Sequence, residues 1–443
     1  MKVHFVGING SGCSGVAIAA AAMGFDVDGC DRDTDTPYAA QVRAAGIPVI
    51  AGHDAAHAND ADIVAATPAA TGAEIDTARD AGKFMTWQSF LGKYILPKRR
   101  VVAVCGTHGK TTTSALMAHV MMAAGMDPTA FIGAIIPDWN ASNRIGASDW
   151  LVLEADEYAN NFAPYHPQYI ILNNLEMEHP EFFRDFDHYR QTFRDFLSGA
   201  SDGAVLVYNA DDPHIPDVLD AFAGEKIPFG IRDTDIRMDG GMQRFDGFAT
   251  PLLGRHNVSN CMAAVTMARR IGIDDDAIES AMQTFRGAGH RLEKIVDQNG
   301  VTIYDDYAHH HTQAARTIAA LRAAHPEKYL LAIYEPHQIS RYVQNTDATL
   351  AALSIADTAV ITEFWRGREA GMPIPDVAAD LNRTGIKNIV YLPNTDAVAS
   401  FAIAQIAAHP NIAIGVMGAG KSYKISESIQ KELDSVIRKK TRK

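Results

Sequence analysis

The sequence predicts an α/β protein built on largely parallel sheets. Three observations carry that expectation. Short apolar runs alternate with longer stretches of helical period along most of the chain, Gly-rich turns follow several of those runs, and 443 residues supply enough chain for two or three cores.

The first block opens with a strand at residues 2–6, a Gly-rich turn, an Ala-rich helix at 14–23 and a second strand at 26–31, a Rossmann-like beginning. Strand candidates at 48–51 and 63–66 continue the winding to a polar, Pro-containing stretch at 93–100. The second block begins with the apolar run 101–104, which feeds a Gly-rich loop and a helix at 112–124. It carries further strands at 151–155, 169–172 and 204–208, then a helix at 258–271. Near 287–293 the texture changes, and strands are expected at 301–304, 329–333, 358–361, 389–392 and 412–416. The expected domains are residues 1–98, 99–292 and 293–443.

Composition excludes several classes. An apolar content of 47% with 21% charged residues is ordinary for a globular chain, and a net charge of −13 argues against a general nucleic-acid binder. The basic end at 438–443 reads as a solvated terminus. Cys13, Cys30, Cys105 and Cys261 are widely spread and form no C-x-x-C pair, so neither a zinc site nor a disulfide framework is suggested. The start runs straight into a strand with no room for a leader, and no apolar run reaches the length of about 18 residues that a membrane span needs. A soluble, cytoplasmic protein is expected.

Residues 106–112 read G-T-H-G-K-T-T after a predicted strand and before a predicted helix, the context of a phosphate loop. Glycines let backbone N–H groups approach phosphate oxygens, the helix N-terminus favours negative charge, Lys110 adds a point charge and Thr111 offers a hydroxyl to Mg²⁺. The spacing is shorter than the common G-x-x-x-x-G-K-[ST]. Residues 415–422, G-V-M-G-A-G-K-S, satisfy that spacing strictly. No carboxylate cluster follows them at a later strand end, so they read as a plain Gly-rich turn.

Glu154-Ala155-Asp156-Glu157 and Asn173-Asn174-Leu175-Glu176-Met177-Glu178-His179 both sit at the C-terminal ends of predicted strands, where α/β sheets hold their ligands. Each alone could be a solvated loop. Behind one phosphate loop they read as a nucleotide-metal site. Gly254-Arg255-His256-Asn257 opens a helix, and its amide and imidazole could reach a base or ribose. The three histidines of Asp305-Asp306-Tyr307-Ala308-His309-His310-His311 are a weak metal signal, because neighbouring residues point different ways. Gly10-Ser11-Gly12-Cys13-Ser14-Gly15 meets G-x-G-x-x-G, with Asp31 ending the next strand. An NAD site or the pyrophosphate of another nucleotide would satisfy that pattern equally.

Taken together and in order, V-G-I-x-G-x-G-x-S-G, G-T-H-G-K-T-T-T, E-A-D-E, N-x-E-x-x-H, G-R-H-N, D-D-Y-x-H-H and E-P-H-x-x-S-R resemble the Mur ligase family over the whole chain. The resemblance implies an N-terminal Rossmann-like UDP-binding domain, a central P-loop ATPase-like domain and a C-terminal Rossmann-like domain that receives the amino acid. It implies ATP bound by Gly106, Thr107, Gly109, Lys110, Thr111, Thr112 and Asn174, adenine by His256 and Asn257, and further ATP contacts from Arg291 and Asp306. One Mg²⁺ would be held by Thr111 and Glu154 and a second by His179. Gly7, Gly10, Ser11, Gly12 and Asp31 would take the UDP-substrate, and His108, Tyr307, His310 and Arg341 would face the substrates, with Arg341 the partner of the amino-acid carboxylate. Lys110, Glu154, His179, His310 and Arg341 would be catalytic.

D-D-Y-x-H-H and P-H-x-x-x-R point to the branch that adds L-alanine to UDP-N-acetylmuramate through an acyl phosphate, in peptidoglycan precursor synthesis. No lysine lies between residues 151 and 225, so the carbamoylated lysine of several sister ligases has no candidate there, which favours the same branch. A tripeptide-recycling ligase is the nearest alternative; Pro336-His337 and Arg341 speak against it. Folylpolyglutamate synthetase should lack the N-terminal domain. A nicotinamide oxidoreductase would leave the phosphate loop idle, and an inactive UDP-muramyl-binding protein would not need the retained Lys110, Thr111, Glu154 and His179. Asn9, Ala308, His311 and Gln338 depart from the family pattern, the last two at positions that bear on substrate choice. A monomer or weak homodimer is expected.

Overall fold

A computed structural model of the chain describes residues 1–68, 70–366, 369 and 371–441. The basic end at 438–443 lies outside the residues whose side chains are described.

Strands β1 (Lys2–Val6), β2 (Asp26–Asp31), β3 (Val49–Ala51), β4 (Ile63–Ala66) and β5 (Phe84–Thr86) form a parallel sheet in the order β3-β2-β1-β4-β5. A second sheet holds β6 (Arg100–Cys105), β7 (Thr129–Ile136), β8 (Ala141–Arg144), β9 (Trp150–Glu154), β10 (Tyr169–Leu172), β11 (Val205–Asn209) and β12 (Glu225–Phe229). Its order is β12-β11-β10-β6-β9-β7-β8, parallel except for the β7–β8 hairpin. Val101 to Cys105 are all buried, as expected of a central strand covered by helices on both faces.

Three short antiparallel strands follow: β13 (Arg237–Asp239), β14 (Met242–Phe245) and β15 (Phe248–Thr250). The last sheet contains β16 (Glu293–Gln298), β17 (Val301–Asp306), β18 (Tyr329–Tyr334), β19 (Thr358–Ile361), β20 (Ile389–Tyr391) and β21 (Ile412–Met417), ordered β16-β17-β21-β18-β19-β20. Only β16 runs antiparallel to its neighbour.

Met1–Thr234 with Ser259–Ala288 form one compact unit; Asp235–Val258 with Gly289–Lys443 form another. The first unit holds the first two sheets. Between them, the chain runs through consecutive helical turns, Leu91–Ile95 and Leu96–Lys98, which take in most of the polar, Pro-containing stretch at 93–100. Leu91, Ile95 and Leu96 are buried in one apolar cluster that includes Phe5 and Phe90 of the first sheet's layer and Leu153, Phe162 and Phe193 of the second. Their hydrophobicity, read as part of a polar stretch, is spent on joining two layers into one core. In the second unit two apolar clusters cover opposite faces of the last sheet.

Helices start earlier than their apolar periodicity: Ser11–Ala22, Lys110–Ala123 and Arg255–Arg270 each begin three or fewer residues before the expected start. The added residues, Ser11 to Cys13, Lys110 with Thr111, and Arg255 to Asn257, are mostly small or polar and bear no apolar periodicity. Of the strands missed by sequence, β7 and β8 carry mixed burial and β13 none. No helix among the described residues is long and apolar enough to cross a membrane.

Candidate active site

In the second sheet β6 lies between β10 and β9, so three loops meet at its C-terminal edge: residues 106–109 in the middle, Asn173–Asn174 on one side and Glu154–Glu157 on the other. Gly106 (φ +122°) passes so close to its neighbour that a Cβ would sit 2.9 Å from the Asn174 carbonyl oxygen. Gly109 (φ +81°) precedes helix Lys110–Ala123, and a Cβ there would meet Asn260 Oδ1 at 2.2 Å. Both positions admit only glycine, and both leave backbone N–H groups bare for an anion. The Asn174 side chain accepts from His108 N at 2.7 Å and donates to His108 O at 3.0 Å, which holds the loop open.

Lys110 Nζ donates to Gly106 O (2.7 Å), Thr107 O (3.2 Å) and Glu157 Oε2 (2.7 Å). Burial by itself depresses an ammonium, but Glu157, Asp156 and Glu154 outweigh it and hold Lys110 above its ordinary pKa. Glu157 is fully buried. Its other oxygen accepts from the buried Tyr189 hydroxyl at 3.2 Å, which also lies 2.8 Å from Thr107 Oγ1. Glu154 accepts from Thr111 Oγ1 (3.0 Å) and from the Gly133 backbone (2.7 Å). Thr112 is buried in the same first turn. His108 Nε2 sits 2.8 Å from Glu176 Oε2.

Asp156, Glu157 and His179 each present one ligand atom within 4.8 Å of the others. His179 has a left-handed backbone (φ +55°). Burial lowers its pKa, but Glu181, Glu157, Glu178 and Asp156 more than reverse this and raise it. Two carboxylates, an imidazole and the Thr111–Glu154 pair beside a phosphate cradle fit a hard divalent cation held partly by phosphate oxygens. The donor set contains no sulfur: Cys105 is buried and its thiol pKa is pushed up by that burial.

The N-terminal loop has its own geometry. Gly7 (φ +74°) donates to Cys30 O at 2.8 Å, Gly10 caps the helix that begins at Ser11, and a Cβ on Gly12 would meet the Trp87 ring at 2.6 Å. Asp31 accepts from Asn9 N (2.8 Å) and Asp33 N (3.0 Å), so both of its oxygens serve the loop itself. Asn9, where the family pattern has Gly, is buried and donates to Asp33 O at 2.9 Å.

In the second unit Asp306 is buried, accepts from Thr317 Oγ1 (2.6 Å) and Ala308 N (3.2 Å), and has its pKa raised by burial. Arg291 stacks 4.7 Å from the Tyr307 ring. His310 Nδ1 caps the helix His311–Ala324 in a capping box with Gln313, while His309 turns to the His337 ring. The three histidines thus take different partners. Asn257 Nδ2 donates to Leu253 O at 2.8 Å, and His256 packs beneath Gly254, one turn ahead of Asn260 on the same helix. Arg341 is buried beside His337 Nδ1 (3.4 Å), in a narrow cleft also bounded by His311, Gln338 and Asn345. Gln338 is held at φ +68°.

The second Gly-rich loop is filled from within. β18 lies beside β21, and Glu335 at its end accepts from Lys421 N through both oxygens, at 2.9 and 2.8 Å. An internal carboxylate occupies the place a phosphate would take, so this loop is the structural turn its lack of partner carboxylates suggests.

His290 (φ +56°) accepts from Tyr307 N at 2.7 Å and is hydrogen-bonded through Nδ1 to the buried Asp305. That bond raises its pKa above the ordinary histidine value, against burial. A raised histidine stabilises the fold fully below its unfolded pKa, roughly 6.5, and the contribution is lost as pH rises through the folded value. The melting temperature of wild type is therefore expected to drop more between about pH 6 and pH 8.5 than that of His290→Gln, as thermal scans followed by circular dichroism would record. Equal slopes would remove this pair from the account.

Residues that the sequence analysis did not assign to the site are Glu157, Asp156, Tyr189, Asn173 and Asn260. Glu157, Asp156 and Asn173 lie inside motifs already singled out; Tyr189 and Asn260 reach the loop only through the tertiary fold.

A Gly-rich loop with a partly buried lysine at a parallel-sheet edge, flanked by carboxylates at the next strand ends, defines an α/β protein of the phosphate-loop class. Sequence profiles described as Mur ligase family, catalytic domain, Mur ligase middle domain, and Mur ligase, glutamate ligase domain match residues 2–86, 104–268 and 290–420. The UDP-N-acetylmuramate–L-alanine ligase of Caldicellulosiruptor bescii is 30% identical, covering 99% of this chain and 98% of its own. That of Rubrobacter xylanophilus is 31% identical, covering 97% and 99%. Among solved structures, the UDP-N-acetylmuramate-alanine ligase MurC of Thermotoga maritima superposes with a TM-score of 0.79 at 25% identity, over 98% of this chain and 100% of that one. A murein peptide ligase from Psychrobacter arcticus gives 0.68 at 25% identity, over 97% and 98%. The chain belongs to the Mur ligase family.

Proposed function

We propose that this protein joins L-alanine to the lactyl carboxylate of UDP-N-acetylmuramate at the expense of ATP, through an acyl phosphate, in peptidoglycan precursor synthesis. The observation that carries the reading is the phosphate loop with its lysine already seated between two carboxylate-bearing strand ends. Whole-length likeness to alanine ligases supports the choice of substrates.

Lys110 meets the transferring phosphoryl group and Gly109 and Thr112 turn backbone N–H groups to the phosphates, with Gly106 and Thr107 lining the loop, so the charge that builds in transfer is met by groups already in place. Thr111 and Glu154 hold one Mg²⁺, and His179 with Asp156 a second. Magnesium, when bound, neutralises phosphate charge. His256 and Asn257 serve adenine, Arg291 and Asp306 the rest of the nucleotide, and Gly7 to Gly12 the UDP-substrate, whose carboxylate is activated. Arg341 takes the carboxylate of the amino acid, with Tyr307 and His310 beside the substrates. Domains at 1–98, 99–292 and 293–443, a cytoplasmic site of action and a monomer or weak homodimer complete the proposal.

A phosphate-release assay with ATP, Mg²⁺, UDP-N-acetylmuramate and single amino acids or the tripeptide L-Ala-γ-D-Glu-meso-diaminopimelate tests it. Turnover with L-alanine is expected; turnover with the tripeptide alone would overturn the choice of acceptor.

A further inference from the structure

Adjacent residues of one short helix touch two different parts of the first unit. Trp87 lies against Gly12 of the N-terminal loop. Gln88, only 2% exposed, donates from Nε2 to Asn161 Oδ1 at 2.7 Å, and Asn161 Nδ2 donates to Asp156 Oδ2 at 2.9 Å. The other Asp156 oxygen accepts from Tyr158 N at 3.2 Å. Asp156 belongs to the Asp156, Glu157, His179 cluster.

The direction of this chain is set by its end. An ionised carboxylate only accepts, so Asn161 must turn its NH₂ to Asp156 and its carbonyl to Gln88, and Gln88 must therefore donate. The bond leaves Gln88 Oε1 buried with no partner, a cost that a residue chosen for packing alone would not carry. Asn161 follows two residues with left-handed backbones, Ala159 (φ +49°) and Asn160 (φ +60°). Strain of this kind, about 1 kcal/mol or more per residue, persists where the surroundings over-determine a conformation. The surroundings here are firm: a Cβ on Gly92 would meet Pro164 O at 2.3 Å, and Phe90, Leu91 and Phe162 share one core.

We propose that Gln88 is a positioning residue for the cation site: through Asn161 it fixes the rotamer of Asp156, and through its neighbour Trp87 it ties that carboxylate to the loop holding the UDP-substrate. The inference rests on the reading of the Asp156 cluster as a magnesium site. Loss of a group that orients a metal ligand lowers metal affinity by 10- to 100-fold in order of magnitude.

The test uses the full-length protein and Mn²⁺ as a spectroscopic probe in the presence of ADP, titrated by electron paramagnetic resonance, beside steady-state kinetics and thermal melting. Gln88→Met and Asn161→Ala are each expected to weaken Mn²⁺ binding about 10-fold and lower kcat by a similar factor. KM for L-alanine should stay within about twofold. Gln88→Glu, which cannot donate when ionised, should behave like Gln88→Met. The double variant should be no worse than the weaker single one, since both cut the same chain. Unchanged Mn²⁺ affinity in folded Asn161→Ala, wild-type behaviour of Gln88→Glu, or additive losses would each overturn the proposal. Failure of wild type to use L-alanine would refute the substrate assignment and leave the Mn²⁺ readout standing.

Discussion

Lys110→Met is expected to abolish turnover, by about 10³-fold or more, while UDP-N-acetylmuramate still binds. The loss follows from removing the ammonium proposed to meet the transferring phosphoryl group, a contribution of the size seen when a preorganised charge stabiliser is deleted. Stability should fall as well. Glu157 is fully buried, and its oxygen 2.7 Å from Lys110 Nζ would lose its nearest counterion, leaving only His179 at 4.0 Å from the other oxygen. Breaking one side of a buried pair costs roughly 3–5 kcal/mol. The penalty should shrink toward acid pH, because burial pushes the Glu157 carboxyl up and a carboxyl with a raised folded pKa is relieved by taking a proton. Lys110→Met/Glu157→Gln should recover most of the stability and none of the activity. Calorimetry for substrate binding, denaturant titration for stability and phosphate release for turnover separate these effects. If the double variant regained turnover, Lys110 would be structural and the site wrongly placed.

Arg341→Ala is expected to lower kcat/KM for L-alanine by about 10²- to 10³-fold, with KM for ATP and for UDP-N-acetylmuramate little changed. Truncating one member of a buried charge pair with a ligand costs 2–5 kcal/mol in order of magnitude. Arg341→Lys should recover only part, because an ammonium cannot grip a carboxylate with two parallel bonds. Varying one substrate at a time checks the claim. An equal loss against ATP would move Arg341 from the acceptor to the nucleotide.

Much of this site is legible in the residues alone, for a reason visible in the topology. In a parallel sheet, function collects at the C-terminal strand edge, so motifs placed directly after apolar runs fall together once those runs pair. Gly106 to Thr112, Glu154 to Glu157 and Asn173 to His179 follow β6, β9 and β10, and these are neighbours in the order β10-β6-β9. Tyr189 was not legible. It lies mid-helix in Phe186–Ser198 with no glycine or carboxylate motif, and reads as an ordinary core residue until its hydroxyl is found between Thr107 and Glu157. Gln88 and Asn161 are hidden likewise, being 73 residues apart and joined by one hydrogen bond. The stretch 93–100 reads as polar because its lysines, arginines and proline outweigh Ile95 and Leu96, which are the residues that pack.

Residue order by itself determined that this chain winds parallel sheets, that Gly106 to Thr112 form a Gly-rich strand-to-helix loop, and that the motifs run in Mur ligase order. Those properties are local, set by the spacing of apolar runs, glycines and carboxylates along a few residues. Only the tertiary structure decided how the like-looking parts differ. Both Gly-rich loops, at 106–112 and 415–422, follow buried strands and precede helices. The first is braced by Asn174, whose side chain bonds to both His108 N and His108 O, and its lysine turns to Glu157. The second receives Glu335 from the neighbouring strand. Whether a loop of bare N–H groups binds a phosphate or is satisfied by its own protein depends on which carboxylate the sheet order brings beside it. Strand neighbours are chosen by packing over hundreds of residues, and no local pattern encodes them.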